Sequence, residues 1–166
     1  SIGGAVGNYQ STSTPPLQTP SSTGNFEMLN YNFPTVGTII GTDSKYEVPT
    51  GVISDGVSLT INYNRAFTSK DLSGDGTFYL FHRLVLKRGS NYIYYPNENG
   101  ILKDLTGLGS NQFPNNDNIV QTITIPQIEL QSNDEIYVEF KESITGTGKT
   151  LEFPNGSGWF KVTQYP

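Results

Sequence analysis

From Asn25 onward, apolar and polar residues take turns along the chain with a period of two. Val57, Leu59, Ile61 and Tyr63 alternate with Ser58, Thr60 and Asn62, the signature of a strand with one face buried. Ile136, Val138 and Phe140 alternate in the same way with Tyr137, Glu139 and Lys141, and so do Ile119, Ile123 and Ile125, interrupted by Gln121. The stretch 77–87 carries apolar residues on both faces in its first half. It reads as a central strand covered on both sides, or as one that meets a subunit neighbour. Further strands are expected at 25–33, 36–40, 52–54, 91–95, 150–153 and 158–163. Turn chemistry separates them: Asp55-Gly56, Gly74-Asp75-Gly76, Arg88-Gly89-Ser90, Asn99-Gly100, Ser132-Asn133-Asp134 and Asn155-Gly156-Ser157. No window longer than about ten residues has helical periodicity, and 101–107 has room for one short turn. The expected fold is all-β, an antiparallel β-sandwich. A jelly roll is the preferred version, because the longer connection at 106–118 reads as a crossover between sheets.

Composition changes the picture at the N-terminus. Between Ser11 and Gly24 lie eight Ser or Thr, three Pro and a single apolar residue, Leu17. Such a stretch favours extended geometry. Residues 1–24 are therefore read as an extended lead-in or linker, and 25–166 as one β-sandwich domain. With 15 acidic and 10 basic residues the net charge is −5, and the basic residues are scattered. That excludes the dense positive face a nucleic-acid surface needs. No apolar run approaches the ~20 residues of a membrane helix, and 1–7 lacks the basic start and apolar core of a signal peptide. The chain has no cysteine, so disulfides and thiol chemistry are out of reach.

Catalytic chemistry finds little purchase. The only histidine, His82, lies inside the 77–87 strand without a nucleophile elbow nearby and reads as a hydrogen-bonded structural residue. Glycoside hydrolysis needs only two carboxyl groups across a cleft, and Glu129, Glu135, Glu139, Glu142 and Glu152 supply candidates. Glu135, Glu139 and Lys141 share the solvent-facing period of an ordinary wet sheet, so a non-enzyme is expected. Gly146-Thr147-Gly148-Lys149-Thr150 ends like a phosphate-binding loop but has Ser143 where the leading glycine belongs, and reads as a glycine-rich hairpin loop. Asp71, Ser73 and Asp75 imitate the first half of a calcium loop. The twelfth position is His82 rather than a bidentate Glu, so a plain polar turn stands beside a Ca2+ site. No other cofactor is expected.

The composition suits binding better. Aromatics flanked by amides can stack on sugar faces and hydrogen-bond their hydroxyls. Tyr92, Tyr94, Tyr95 and Asn97 form the densest group, Phe113 with Asn116 a second, and Trp159 near Asn155 a third. For each, burial in the core or a turn is the competing reading.

The C-terminal part carries a resemblance of pattern. Ile123-Thr124-Ile125-Pro126-Gln127-Ile128-Glu129-Leu130 is followed by Ser132-Asn133-Asp134-Glu135-Ile136-Tyr137-Val138-Glu139-Phe140 and by a closing Gly158-Trp159-Phe160-Lys161-Val162. This resembles the small jelly-roll heads of the tumour-necrosis-factor/C1q type, which also form the tips of phage tail fibres, head fibres and viral spikes. The likeness spans about a quarter of the chain, and no binding residue passes over from it. It implies a homotrimer with an aromatic-rich sheet face between subunits, on a virion surface or outside the cell. The expected function is attachment to a host-surface glycan or protein. The alternatives are a carbohydrate-binding module of a secreted bacterial protein and a structural capsid or decoration jelly roll.

Overall fold

The computed structural model describes residues 8–10, 14–32, 41–42, 44–54, 56–70, 76–106, 117–145 and 150–165. Two antiparallel sheets face each other. The small sheet is built from β1 (Asn8–Gln10), β5 (Ser58–Ala66), β10 (Asn118–Ile125) and β13 (Gly158–Tyr165), in the order β1-β13-β5-β10. The large sheet contains β3 (Gly41–Thr42), β4 (Lys45–Glu47), β11 (Glu135–Ile144), β7 (Phe78–Arg88) and β8 (Asn91–Tyr95) in that order. Beside them β2 (Glu27–Met28) pairs with β11, and β9 (Ile101–Asp104) with β7. The strand orders 1-13-5-10 and 4-11-7-8 are those of a jelly roll, two Greek keys folded together. β6 (Thr68–Lys70) and β12 (Thr150–Glu152) make a separate two-stranded ribbon. β9 lies in the large sheet and β10 in the small one, so the chain changes sheets where a crossover was expected.

Alternation decides which side chains enter the core. Leu59, Ile61 and Tyr63 from β5, and Phe160 and Val162 from β13, meet Leu80, Leu84 and Leu86 from β7 and Ile136, Val138 and Phe140 from β11. Full burial of each such side chain is worth about 1.5–3 kcal/mol. On β7 the outward residues Arg83 and Val85 are buried too. Val85 lies opposite Tyr137 on one side and Tyr94 on the other. The chain's own side chains thus supply the second cover that the apolar pattern of 77–87 called for.

Two local expectations are corrected. Residues 52–54 are not a strand: Thr50–Ser54 is a single helical turn, α1, that buries Val52. Pro49 enters it with the φ a helical turn uses, and Gly56 leaves it at φ 68°. Residues 101–104 are not a turn: Ile101 and Leu102 pair with His82 and Phe81 as β9. Gly100, at φ 77°, closes the preceding reversal, and a Cβ there would lie 2.6 Å from the His82 carbonyl oxygen. The expected strand at 36–40 lies outside the described residues.

The segment read as a lead-in is partly in the sandwich, since β1 is a strand of the small sheet, and its residues from 14 onward run extended and hydrogen-bonded to the sheets. Gln18 and Phe153 exchange two backbone hydrogen bonds of 3.0 and 2.8 Å, and the Gln18 side chain bonds the backbone of Met28 and Asn30.

Candidate functional site

The outer face of the large sheet collects aromatic rings and cations on its most extensively paired strands. Tyr79, Phe81, Arg83, Val85 and Lys87 point outward from β7. Tyr92 and Tyr94 are placed beside Lys87 and Val85 from β8, and Tyr137, Glu139 and Lys141 beside Val85, Arg83 and Phe81 from β11. Rings and cations alternate. The Arg83 guanidinium lies 3.8 Å from the Tyr94 ring centre and 3.6 Å from that of Phe26. The Lys141 ammonium lies 4.7 Å from Phe26 and 4.6 Å from Phe81. Arg83 also donates two bonds, of 2.9 and 2.7 Å, to one oxygen of Glu139, and one to the Glu98 carbonyl. Its planar head is thereby fixed on every side, an arrangement that lysine could not reproduce. Tyr92 and Tyr94 hold their rings parallel within 5°, centres 6.3 Å apart, and Tyr92 is 48% exposed. Burial, followed by the charge of Glu139, raises the Tyr137 phenol well above its usual range, so it stays protonated as a donor.

The predicted ligand residues separate. Tyr92 and Tyr94 share this face. Tyr95, opposite Leu84, turns inward against the core, and its carbonyl accepts from Gln121 Nε2 at 3.2 Å. Asn97 is spent on its own turn, with Oδ1 accepting from the backbone of Asn99 and Gly100. Phe113 and Asn116 lie outside the described residues, as do Asp71, Ser73 and Asp75 of the calcium-like loop and residues 146–149 of the phosphate-loop echo. No group of three metal-ligating side chains occurs among the described residues. None of the described helices is long and apolar enough to cross a membrane.

Trp159 sits on the other sheet, facing outward. Across the outer face of the small sheet, Trp159, Lys161 and Thr163 stand in register with Asn64, Asn62 and Thr60 of β5, which stand beside Val120, Thr122 and Thr124 of β10. The indole N–H donates to Asn62 Oδ1 at 2.6 Å, and Asn62 Nδ2 donates to Thr122 Oγ1 at 2.6 Å. Thr60 and Thr124 hydroxyls share a bond of 3.0 Å, and the Lys161 ammonium lies 5.2 Å from the Trp159 ring centre.

Among the polar side chains that strand alternation turns toward the core are His82, Arg65 and Glu142. His82 is 1% exposed and shares a 2.5 Å hydrogen bond with the Tyr63 hydroxyl. Burial, and then the charge of Lys103, lower its pKa to about 4, so it is neutral at physiological pH. This is the structural histidine expected from its place in the strand. Arg65 is fully buried, with no carboxylate partner among the described residues, its guanidinium donating to the carbonyls of Pro154 and Pro16 and to Ser157 Oγ. Glu142 continues the core-facing row of Ile136, Val138 and Phe140. Burial, and then the charge of Glu27, raise its pKa to about 7. Extending the Val57–Tyr63 and Ile136–Phe140 alternations by one step would have found Arg65 and Glu142.

No family model and no curated protein matches this chain. Among solved structures, it is similar to those titled infectious bursal disease virus Gt strain, at 12% identity and TM-score 0.47, and Gx strain, at 17% and 0.48. It is also similar to the VP2 subviral particle of that virus, at 15% and 0.46. These alignments cover 93%, 95% and 97% of this chain but 32%, 30% and 31% of the other, so the chain spans about a third of the length of those proteins.

Proposed function

We propose that the chain is the head of a viral or phage fibre or spike, a non-catalytic domain at the virion surface that attaches to a host-surface glycan or protein. The observation that carries this reading is the parallel pair Tyr92 and Tyr94 on a rigid sheet, one ring half-exposed beside Lys87. Two parallel rings rising side by side from one strand, the outer one half-exposed, offer an aromatic surface for a sugar ring, and the neighbouring ammonium and carboxylate groups orient what packs on it. The jelly-roll strand order accords with the pattern-level likeness to fibre and spike heads. Assembly as a homotrimer would multiply weak single-site contacts through avidity.

A glycan array and whole-cell binding assay with the double variant Tyr92→Ala/Tyr94→Ala tests this. Loss of binding by more than about tenfold, with unchanged melting, supports attachment through this face. Light scattering that finds a trimer supports the fibre or spike setting, whereas a monomer that binds polysaccharide would make the chain a carbohydrate-binding module instead. Binding to a capsid or shaft protein, with no glycan or host-cell binding, would make it a structural decoration domain.

A further inference from the structure

The small sheet's outer face differs from the rest of this acidic protein in one respect. Its described outward positions on β5, β10 and β13 are Ser58, Thr60, Asn62, Asn64, Ala66, Asn118, Val120, Thr122, Thr124, Trp159, Lys161, Thr163 and Tyr165. None is a carboxylate, in a chain with 15 of them, and Lys161 is the one charge among them. By contrast the large sheet presents Glu135 and Glu139 in register with Lys87 and Arg83. Two linked hydrogen bonds across the small face run in one sense. Trp159 donates to Asn62, and Asn62 donates to Thr122. That chain ends on the Thr122 hydroxyl, and Lys161 stands on the other side of Asn62 from it. Lys161 has no ion pair among the described residues, only the Trp159 ring. A flat, donor-rich face with an aromatic ring and one cation fits a ligand rich in acceptors that brings its own negative charge.

We propose that this face is a second binding surface, specific for a carboxylate-bearing sugar. The sugar ring lies against Trp159, its carboxylate takes the Lys161 ammonium, and its hydroxyl oxygens accept from Thr122 and Asn62. Lys161 leaves only an exposed cation–π contact to do so, which is weaker than a charge-assisted bond to carboxylate. The surface lies on the opposite side of the sandwich from Tyr92 and Tyr94 and does not depend on them.

Titration calorimetry of the intact protein with sialyllactose, with hyaluronan and with neutral lactose tests the assignment. The expected result is a preference for the acidic probes of about tenfold, the worth of one charge-assisted bond. Lys161→Gln, at an exposed position, removes that preference. Thr122→Val, which deletes one hydroxyl, weakens the acidic probes severalfold. Sialyllactose and hyaluronan separate a terminal carboxylate from an internal one. Equal binding of acidic and neutral probes, or a preference that survives Lys161→Gln, overturns the proposal. Binding lost in Tyr92→Ala but kept in Lys161→Gln and Thr122→Val also overturns it, and leaves attachment through the large sheet standing. Acidic binding that follows Lys161, with Tyr92→Ala/Tyr94→Ala still fully competent on cells, supports this surface and removes the other.

Discussion

On the core-facing row of β11, Glu142 follows Phe140, and across the strand pair Phe140 lies opposite His82. The two titratable groups respond to pH in opposite senses. The pKa of His82 falls from 6.5 to about 4 on folding, so the unfolded chain binds more protons between those values and stability rises with pH there. The pKa of Glu142 rises from 4.5 to about 7, so the folded chain binds more protons in that window and stability falls as pH increases. Between about pH 4.5 and 6.5 the two effects oppose each other. Glu142→Gln removes one of them. The variant is therefore expected to melt higher than wild type at pH 8 and to gain stability steadily from pH 4.5 to 6.5, where wild type stays nearly level. Thermal melts by circular dichroism across that range would show it, and parallel curves for the two proteins would refute the assignment. Glu142 Oε2 is buried without a hydrogen-bond partner among the described residues, which is why the neutral amide fits it better than the anion.

At the scale of elements, the extended segment 14–32 is fastened to the sandwich by buried Leu29 and Tyr31, by backbone hydrogen bonds and by polar side chains from the sheets. Arg65 on β5 reaches Pro16 in that segment and Pro154 and Ser157 in the reversal before β13. Arg65→Lys keeps the charge but cannot span three oxygens, so it should cost on the order of 2–4 kcal/mol. It should also release the Gln18 amide first in hydrogen exchange. Phe140 packs edge-on to Phe153 at 4.7 Å, joining the large sheet to the ribbon side. Phe140→Ala is expected to lose about 3–5 kcal/mol in denaturant unfolding. Elements with five or more alternating residues, such as Ser58–Ala66 and Gly158–Tyr165, were legible because period-two burial writes itself into sequence. Thr50–Ser54 and Ile101–Asp104 were not. Five residues hold too little of a helical repeat, and Ile101-Leu102 are apolar on both faces because β7 pairing, not local pattern, holds them. The Tyr92–Tyr94 platform was half legible, since the tyrosines stand out but alternation turns Tyr95 inward. Phe26 enters the cation stack only through tertiary contact with Arg83 and Lys141, from a position no local pattern marks.

For the whole molecule, charge is distributed by face. One outer surface interleaves acids and bases, while the other has a single ammonium within an otherwise neutral grid. β10 borders that second surface at the end of the small sheet's strand order. Its sequence, Asn118–Ile125, contains neither a charged residue nor a proline. Natural sheets guard such borders with lysine, proline or a bulge. Val120, 51% exposed, tolerates replacement, so Val120→Lys should leave the melting temperature within a degree or two while suppressing turbidity on heating. Among the described residues no strand pairs with the outer side of β10, which leaves a seam that neither charge nor proline guards. Chains heated close to unfolding, or crowded at high concentration, would stitch together strand by strand from there, and an amyloid-type dye would report that growth.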